Sequence, residues 1–351
     1  MQSFLLEDYG NPSQPYSFSR NSKKALQEAR KTIANCIGAY PDEIFFTSGG
    51  TESDNWVIKS ISIFNNKQGT ILTSAIEHHA ILRPCMAIEE LGHPVAYMQP
   101  TELGEITPSI LSKYISDATK LVSVMYVNNE IGTIQPIKEL CNISHAHGAL
   151  FHTDAVQAVG HLQLDVHDLE IDFLSASAHK FNGPKGIGFL YIRRGVSLSP
   201  LMHGGKQENS MRAGTENIAQ IVGMAAALKE NSDKILENKH YITQIEDTFL
   251  RAMNSSGITF VRNGIKQTPG LISLSFPNQD GEAILHRLDL HNICISTGSA
   301  CDSTRTEISH VLKAVRLEET FAQGTIRISF GLNNTKEDAR IIASELIQII
   351  K

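Results

Sequence analysis

The chain has 351 residues, with 31 basic and 37 acidic side chains and a net charge of −6. This balance lacks the basic field that nucleic-acid binding requires. No run approaches the roughly 20 apolar residues of a membrane span, and no N-terminal stretch has the pattern of a secretory leader. We therefore expect a cytoplasmic protein whose partners are small molecules or other proteins, with no direct nucleic acid and no membrane.

The length exceeds the roughly 250 to 300 residues that one core usually serves, so two domains are expected. Five cysteines (Cys36, Cys85, Cys141, Cys294 and Cys301) show no paired metal-ligand spacing, and their odd number argues against a disulfide framework. Four read as small buried hydrophobes or inert thiols. Cys301 differs, because "STGSACDSTRTE" sets it in a polar, Gly/Ser-rich loop.

In chain order, the first strand-like run is "EIFFTS", and it leads into "TSGGTESDN". There Ser48, Gly49, Gly50 and Thr51 stand between a strand and a helix start, where free backbone N–H groups can hold a phosphate. An ordinary helix cap by Thr51 or Ser53 fits this stretch equally well. "TILTSA" comes next, then "AIEHHAIL" with His78 and His79, then "VAYMQ" and "KLVSVMYV". The last of these runs into "VNNEIGT", which offers Asn129.

"ALFHTDAVQAVG" ends a strand in Asp154 and Gln157, which share one face if a helical turn follows. A carboxylate buried at a strand end is costly unless a cation meets it, and a protonated pyridine nitrogen is one such cation; an N-cap aspartate is the plainer alternative. "IDFLSA" then leads into "SASAHKFNGPKGIG", which places Ser177, His179 and Lys180 between two apolar runs. A lysine desolvated there would have a lowered pKa and could attack a carbonyl, whereas a lysine snorkelling from a strand-end loop is the plainer reading.

After "GFLYIR" come "MRAGTEN" and a long amphipathic helical stretch from "IAQIVGMAAALKE" to "QIEDTFLRAM". "GITFV", "GLISLSF", "NICIS" and "TIRISFG" then alternate with helical segments. The predicted fold class is α/β: a large domain over 11–229 with a mostly parallel, seven-stranded-type sheet covered by helices. Residues 1–10 and 230–351 are expected to form a smaller α+β domain carrying Cys301 and Arg327.

"SASAHKFNGPKGIG" resembles the lysine signature of the class V aminotransferase group of fold type I pyridoxal-phosphate enzymes. "TSGGTESDN", "EHHAIL", "VNNEIGT", "HTDAVQAVG", "MRAGTEN", "GSAC" and "IRISFG" resemble, in order, the motifs of its cysteine desulfurase branch, and the likeness runs from "GNPSQPYSFSR" to the C terminus. The resemblance implies pyridoxal 5'-phosphate held as an imine by Lys180, with Asp154 on the ring nitrogen and Gln157 and Asn129 at the ring hydroxyl. It further implies Gly50, Thr51, Ser177 and His179 at the phosphate, His78 stacked on the ring, and Thr215 reaching the other subunit's phosphate in a homodimer. Arg327 and Asn129 would bind the substrate carboxylate end.

The implied reaction takes sulfur from L-cysteine, leaving L-alanine and a persulfide on Cys301, for delivery to an iron–sulfur scaffold or a tRNA-thiolation enzyme. Selenocysteine lyase and a cofactor-binding paralogue acting as a partner protein are the alternatives; a plain transaminase would leave "GSAC" unexplained. Three departures accompany the resemblance. The sequence begins at "MQSFLLEDYGNPS" without the Asn-Ala-Ala-Thr-Thr-like segment that helps cover the site in relatives. Tyr16 stands where histidine is common, and Lys206 and Ser210 stand where glycines are.

Overall fold

The computed structural model describes residues 1–64, 69–298 and 308–351, and these form two compact units. The first comprises 1–98, 107–126 and 136–235; the second comprises 99–106, 127–135 and 236–351. Residues 1–10, expected with the smaller domain, thus lie in the first unit. Two segments expected in the larger domain, 99–106 and 127–135, belong to the second unit.

The first unit is built on seven strands: β1 (Ile44–Thr47), β2 (Thr70–Ser74), β3 (Val95–Met98), β4 (Thr119–Ser123), β5 (Leu150–Asp154), β6 (Phe173–Ser177) and β7 (Gly188–Ile192). Their order is β1-β7-β6-β5-β4-β2-β3. Strands β3, β2, β4, β5 and β6 pair in parallel, whereas β7 is antiparallel to both β6 and β1. Because β7 reverses twice, β1 runs in the same direction as β6. The strands read as near-continuous apolar runs because both faces of such a sheet are covered.

Helix Gly50–Lys59 covers one face, burying Trp56, Val57 and Ile58 against Ile71, Leu121, Phe173 and Leu190. Fully burying each large apolar side chain contributes about 1.5–3 kcal/mol. The single helical stretch expected after residue 217 is two helices, Ile218–Asp233 and Ile235–Asn254. They meet at Lys234, whose φ of −118° and ψ of 15° are not helical, and the division between the units falls just after it, between Ile235 and Leu236.

The second unit has three antiparallel strands in the order β10-β9-β8: β8 (Val261–Arg262), β9 (Leu271–Ser275) and β10 (Thr325–Ser329). Its core joins Ile272, Leu274, Ile326 and Ile328 to Phe249 of helix Ile235–Asn254 and to Ala343 and Leu346 of helix Lys336–Ile350. The expected strand "NICIS" is reduced to one bridge between Ser296 and Arg327, because pairing there extends no further than that residue. No described helix is long and apolar enough to cross a membrane.

Candidate active site

The carboxyl ends of β1, β2, β5 and β6 lie along one edge of the sheet, the edge at which open α/β sheets bind ligands. The register fixes who meets whom: Gly188 stands opposite Thr47 on one side and Ser177 on the other. The segments at these strand ends are therefore brought together, namely Ser48–Thr51 after β1 and Ser177–Lys180 at the end of β6.

Helix Gly50–Lys59 begins without a side-chain cap; its N-cap residue is Gly49, at φ 147° and ψ −177°. A residue with a side chain rarely adopts that backbone. Thr51 is exposed in the first turn, while Ser53 is buried and bonds Thr47 Oγ1 at 2.9 Å, so the cap reading of these two residues does not hold. A Cβ on Gly188 would lie 2.7 Å from Gly49 Cα, and one on Gly49 would lie 3.4 Å from Ser177 Oγ. The loop thus leans on the end of β6 with its first-turn N–H groups uncapped, a cradle shaped for an anion.

Beside it, Ser177 Oγ and His179 Nδ1 lie 2.9 Å apart. Burial, with Lys180 and Lys185 nearby, holds the His179 pKa below its ordinary value, favouring the neutral ring. Lys180 sits on the 3₁₀ turn Ala178–Phe181 and is exposed. Of the two readings of this lysine, desolvated or snorkelling from a strand-end loop, its exposure fits the second: β6 stops at Ser177, and on the turn His179 and Lys180 are exposed while Ala178 and Phe181 stay buried. The turn is anchored by His161 Nε2 on Lys180 O at 2.7 Å and by Asn231 Nδ2 on Phe181 O at 2.9 Å.

Asp154 ends β5, buried, with Oδ1 accepting the Val156 N–H at 2.9 Å. This contact is of the kind the N-cap reading foresaw. Burial raises the Asp154 pKa to about 6, opposed by the Val156 N–H and the positive charge of Lys180. A helical turn does come next, with Val159 N–H bonded to Ala155 O at 2.9 Å, and Gln157 on it is half-buried. His78 caps helix His79–Glu90, its Nδ1 accepting the Ala80 N–H at 3.1 Å. That bond leaves the ring proton for Nε2.

Thr215 is exposed in the segment preceding helix Ile218–Asp233. In the second unit, Arg327 on β10 is half-buried and donates from Nη1 to Asn129 O at 2.8 Å, so the structure brings these two expected site residues together. Burial lowers the Arg327 pKa, with Glu130 opposing. Its buried Nε has no acceptor among the described residues. Cys301 lies outside the described residues.

A family model described as "Aminotransferase class-V" matches residues 1–342. A protein of Dictyoglomus turgidum named cysteine desulfurase IscS is 46% identical over 357 residues, covering 100% of this chain and 90% of that one. A Bacillus subtilis protein named putative cysteine desulfurase IscS 1 is 43% identical, over 98% of this chain and 92% of that one. Among solved structures, a NifS-like protein superposes with a TM-score of 0.93 at 34% identity, covering 99% of this chain and 93% of that one. Another, described as SspA in complex with cysteine, gives 0.84 at 35% identity, covering 95% and 94%.

The chain belongs to the class-V aminotransferase family, in its cysteine desulfurase branch.

Several residues around the site of this class-V chain escaped sequence reasoning. Asp54, Glu77 and His152 form a buried polar layer beside Asp154. His152 spans Ser123 Oγ at 2.9 Å and Ser175 Oγ at 3.0 Å, with Asp54 Oδ1 3.6 Å away. Burial pushes Glu77 up to about 8, raises Asp54, and lowers His152 to about 3. The visible signal was charged and polar residues inside apolar strand patterns, as in "LFHTDA". The pairs Arg30–Glu208 and Arg212–Glu52 had no such signal, since 178 and 160 residues separate the partners.

Proposed function

We propose that this protein is a pyridoxal 5'-phosphate-dependent cysteine desulfurase that converts L-cysteine to L-alanine and holds the sulfur as a persulfide on Cys301. The observation that carries the reading is the row of strand ends in the first unit. An uncapped helix start stands beside Ser177 and His179, a lysine stands on the next turn, and a buried carboxylate within that lysine's field ends the neighbouring strand.

These residues fit the cofactor's three demands. The cradle of Gly50 and Thr51 with Ser177 and His179 suits the phosphate. Asp154, ionised, suits a protonated ring nitrogen, and Lys180 is the amine for the aldehyde. His78 would stack on the ring, and Gln157 and Asn129 would serve its hydroxyl. Thr215 is assigned to the phosphate of the partner subunit in a homodimer. When bound, the cofactor supplies an electron sink for charge developing on the substrate's carbon skeleton.

The protein's own groups do the rest. Arg327 grips the substrate carboxylate with parallel hydrogen bonds, its Nη1 anchored on Asn129 O. Lys180, once released by substrate, takes the α-proton as the general base. The thiolate of Cys301 attacks the substrate Sγ. The new S–S bond forms as the C–S bond breaks, its electrons stay with carbon, and a proton there completes alanine. The sulfur then passes to an acceptor protein, an iron–sulfur scaffold or a tRNA-thiolation enzyme.

The test is a visible spectrum of the purified protein before and after L-cysteine, with alanine and sulfide quantified, on wild type, Lys180→Ala and Cys301→Ala. Bound-cofactor absorbance that Lys180→Ala abolishes, with alanine formation that Cys301→Ala abolishes, is the expected result. Alanine formation undiminished in Cys301→Ala would overturn the assignment of the nucleophile.

A further inference from the structure

The loop from Ser48 to Gly50 is held by a carboxylate, which is an unexpected group to find beside an anion cradle. Glu52, in the first turn of helix Gly50–Lys59, accepts the Ser48 N–H at 2.7 Å through Oε2. Left alone, its charge would repel a phosphate bound at the same helix start. Arg212 meets it with two parallel hydrogen bonds, Nε to Oε1 at 2.9 Å and Nη2 to Oε2 at 3.1 Å. The side chains are 20% and 11% exposed, so water screens the pair weakly.

Arg212 is itself braced. Glu208, Asn209 and Ser210 are three consecutive non-glycine residues at positive φ: 46°, 55° and 68°. Such conformations persist when the surroundings over-determine them. Here the buried Glu208 receives both Arg30 terminal nitrogens, at 2.8 and 2.5 Å, and the Phe46 N–H at 2.9 Å. Strand β1 is at the sheet edge, so this N–H has no strand partner on that side. The segment therefore grips β1 through Glu208 and the loop after β1 through Arg212. Ser48, Glu208, Arg212 and Thr215 line one cavity of about 170 Å³.

We propose that Arg212 and Glu52 are positioning residues for the cofactor phosphate: Glu52 sets the Ser48–Gly50 backbone, and Arg212 cancels the carboxylate's charge so that the loop accepts an anion. The proposal rests on the reading of that loop as the phosphate cradle.

Its signature is selectivity for the phosphate group. The experiment measures equilibrium binding of pyridoxal 5'-phosphate and of phosphate-free pyridoxal to cofactor-stripped protein. The variants are Arg212→Gln, Glu52→Gln, the double variant and Thr51→Ala. Arg212→Gln should weaken pyridoxal phosphate by roughly tenfold to a hundredfold, the size expected when a partly buried charge loses its partner. Pyridoxal binding should stay within about twofold of wild type, a difference too small to count as a lost interaction. The double variant should recover part of the loss, because the unopposed carboxylate is gone. Equal losses for both ligands, or a double variant worse than Arg212→Gln, would show a merely structural pair and overturn the proposal. If Thr51→Ala also leaves the ratio of the two affinities unchanged, the cradle reading fails as well, so the two failures are distinguishable.

Discussion

Replacing Glu77 with glutamine should make the protein more stable, and increasingly so as pH rises. Glu77 is fully buried, with Oε1 accepting Ser74 Oγ at 2.5 Å and the Met125 N–H at 2.9 Å. Burial raises its pKa from 4.5 to about 8, the two hydrogen bonds pulling down and Asp154 adding to the rise. Between those values the unfolded chain has released this proton while the folded chain keeps it, so stability falls as pH climbs, by up to about 1.4 kcal/mol per pH unit. A shift from 4.5 to about 8 corresponds to about 5 kcal/mol in total. Glutamine keeps an oxygen for both donors and cannot ionise. Its advantage should be near zero at pH 4.5, about 3 kcal/mol at pH 6.5 and at most about 5 kcal/mol at pH 8. His152, held neutral down to about 3, makes stability rise with pH below 6.5 and so partly masks the trend in wild type. It is common to both proteins and cancels in the difference. Urea unfolding of each protein from pH 4.5 to 8 gives that difference directly. A gap that stays flat with pH, or that shrinks, would refute the account of Glu77 as a buried proton holder.

Arg327→Lys should keep the positive charge but lose the bidentate grip, so kcat/KM for L-cysteine falls roughly a hundredfold in steady-state assays while bound-cofactor absorbance is retained. Glu208→Ala leaves the half-buried Arg30 guanidinium only the Ile44 carbonyl and the Phe46 N–H no acceptor; urea titration should show a loss of about 3 kcal/mol, the scale for breaking a buried pair from one side. Asp154→Asn leaves a neutral group at the end of β5, and kcat should fall at least about a hundredfold, because a general electrostatic partner of the reacting system is gone.

Much of the first unit was legible because its elements obey one period at a time. Runs such as "TILTSA" and "IDFLSA" are apolar and short, and they became β2 and β6 because parallel sheets bury both faces. The segments "TSGGTESDN", "HTDAVQAVG" and "SASAHKFNGPKGIG" were legible for the same reason: each stands where an apolar run stops, and the ends of β1, β5 and β6 share an edge. The depth of Lys180 stayed open between two readings, since sequence pattern does not show where a strand ends and a 3₁₀ turn begins. The second unit was less clear. Segments 99–106 and 127–135 pass from one unit to the other through contacts that local sequence does not encode; Gln135, for example, bonds the Ile106 N–H and Gly104 O from across 29 and 31 residues. Pairings such as Arg212 with Glu52 are invisible to periodicity because they depend on the fold being complete.

Three carboxylates share the buried layer behind the strand ends, and the surroundings decide which of them carries charge. A buried carboxylate stays ionised only if donors or cations repay its lost hydration. Glu77, fully buried, accepts from Ser74 Oγ and the Met125 N–H, and its pKa still stands near 8. Asp54 lies beside the His152 ring, which burial keeps neutral, and the charge of Asp154 pushes it further up. Asp154 has a backbone donor and the field of Lys180 opposing its burial, and its pKa is raised only to about 6. Burial and the charge of Asp154 thus push the Asp54 and Glu77 carboxyls toward the protonated form, while the field of Lys180 favours negative charge on the carboxylate at the strand end. A cationic ring nitrogen held beside Asp154, as the proposed function has it, would favour that charge further and in turn keep the ring protonated, as an electron-accepting pyridinium requires.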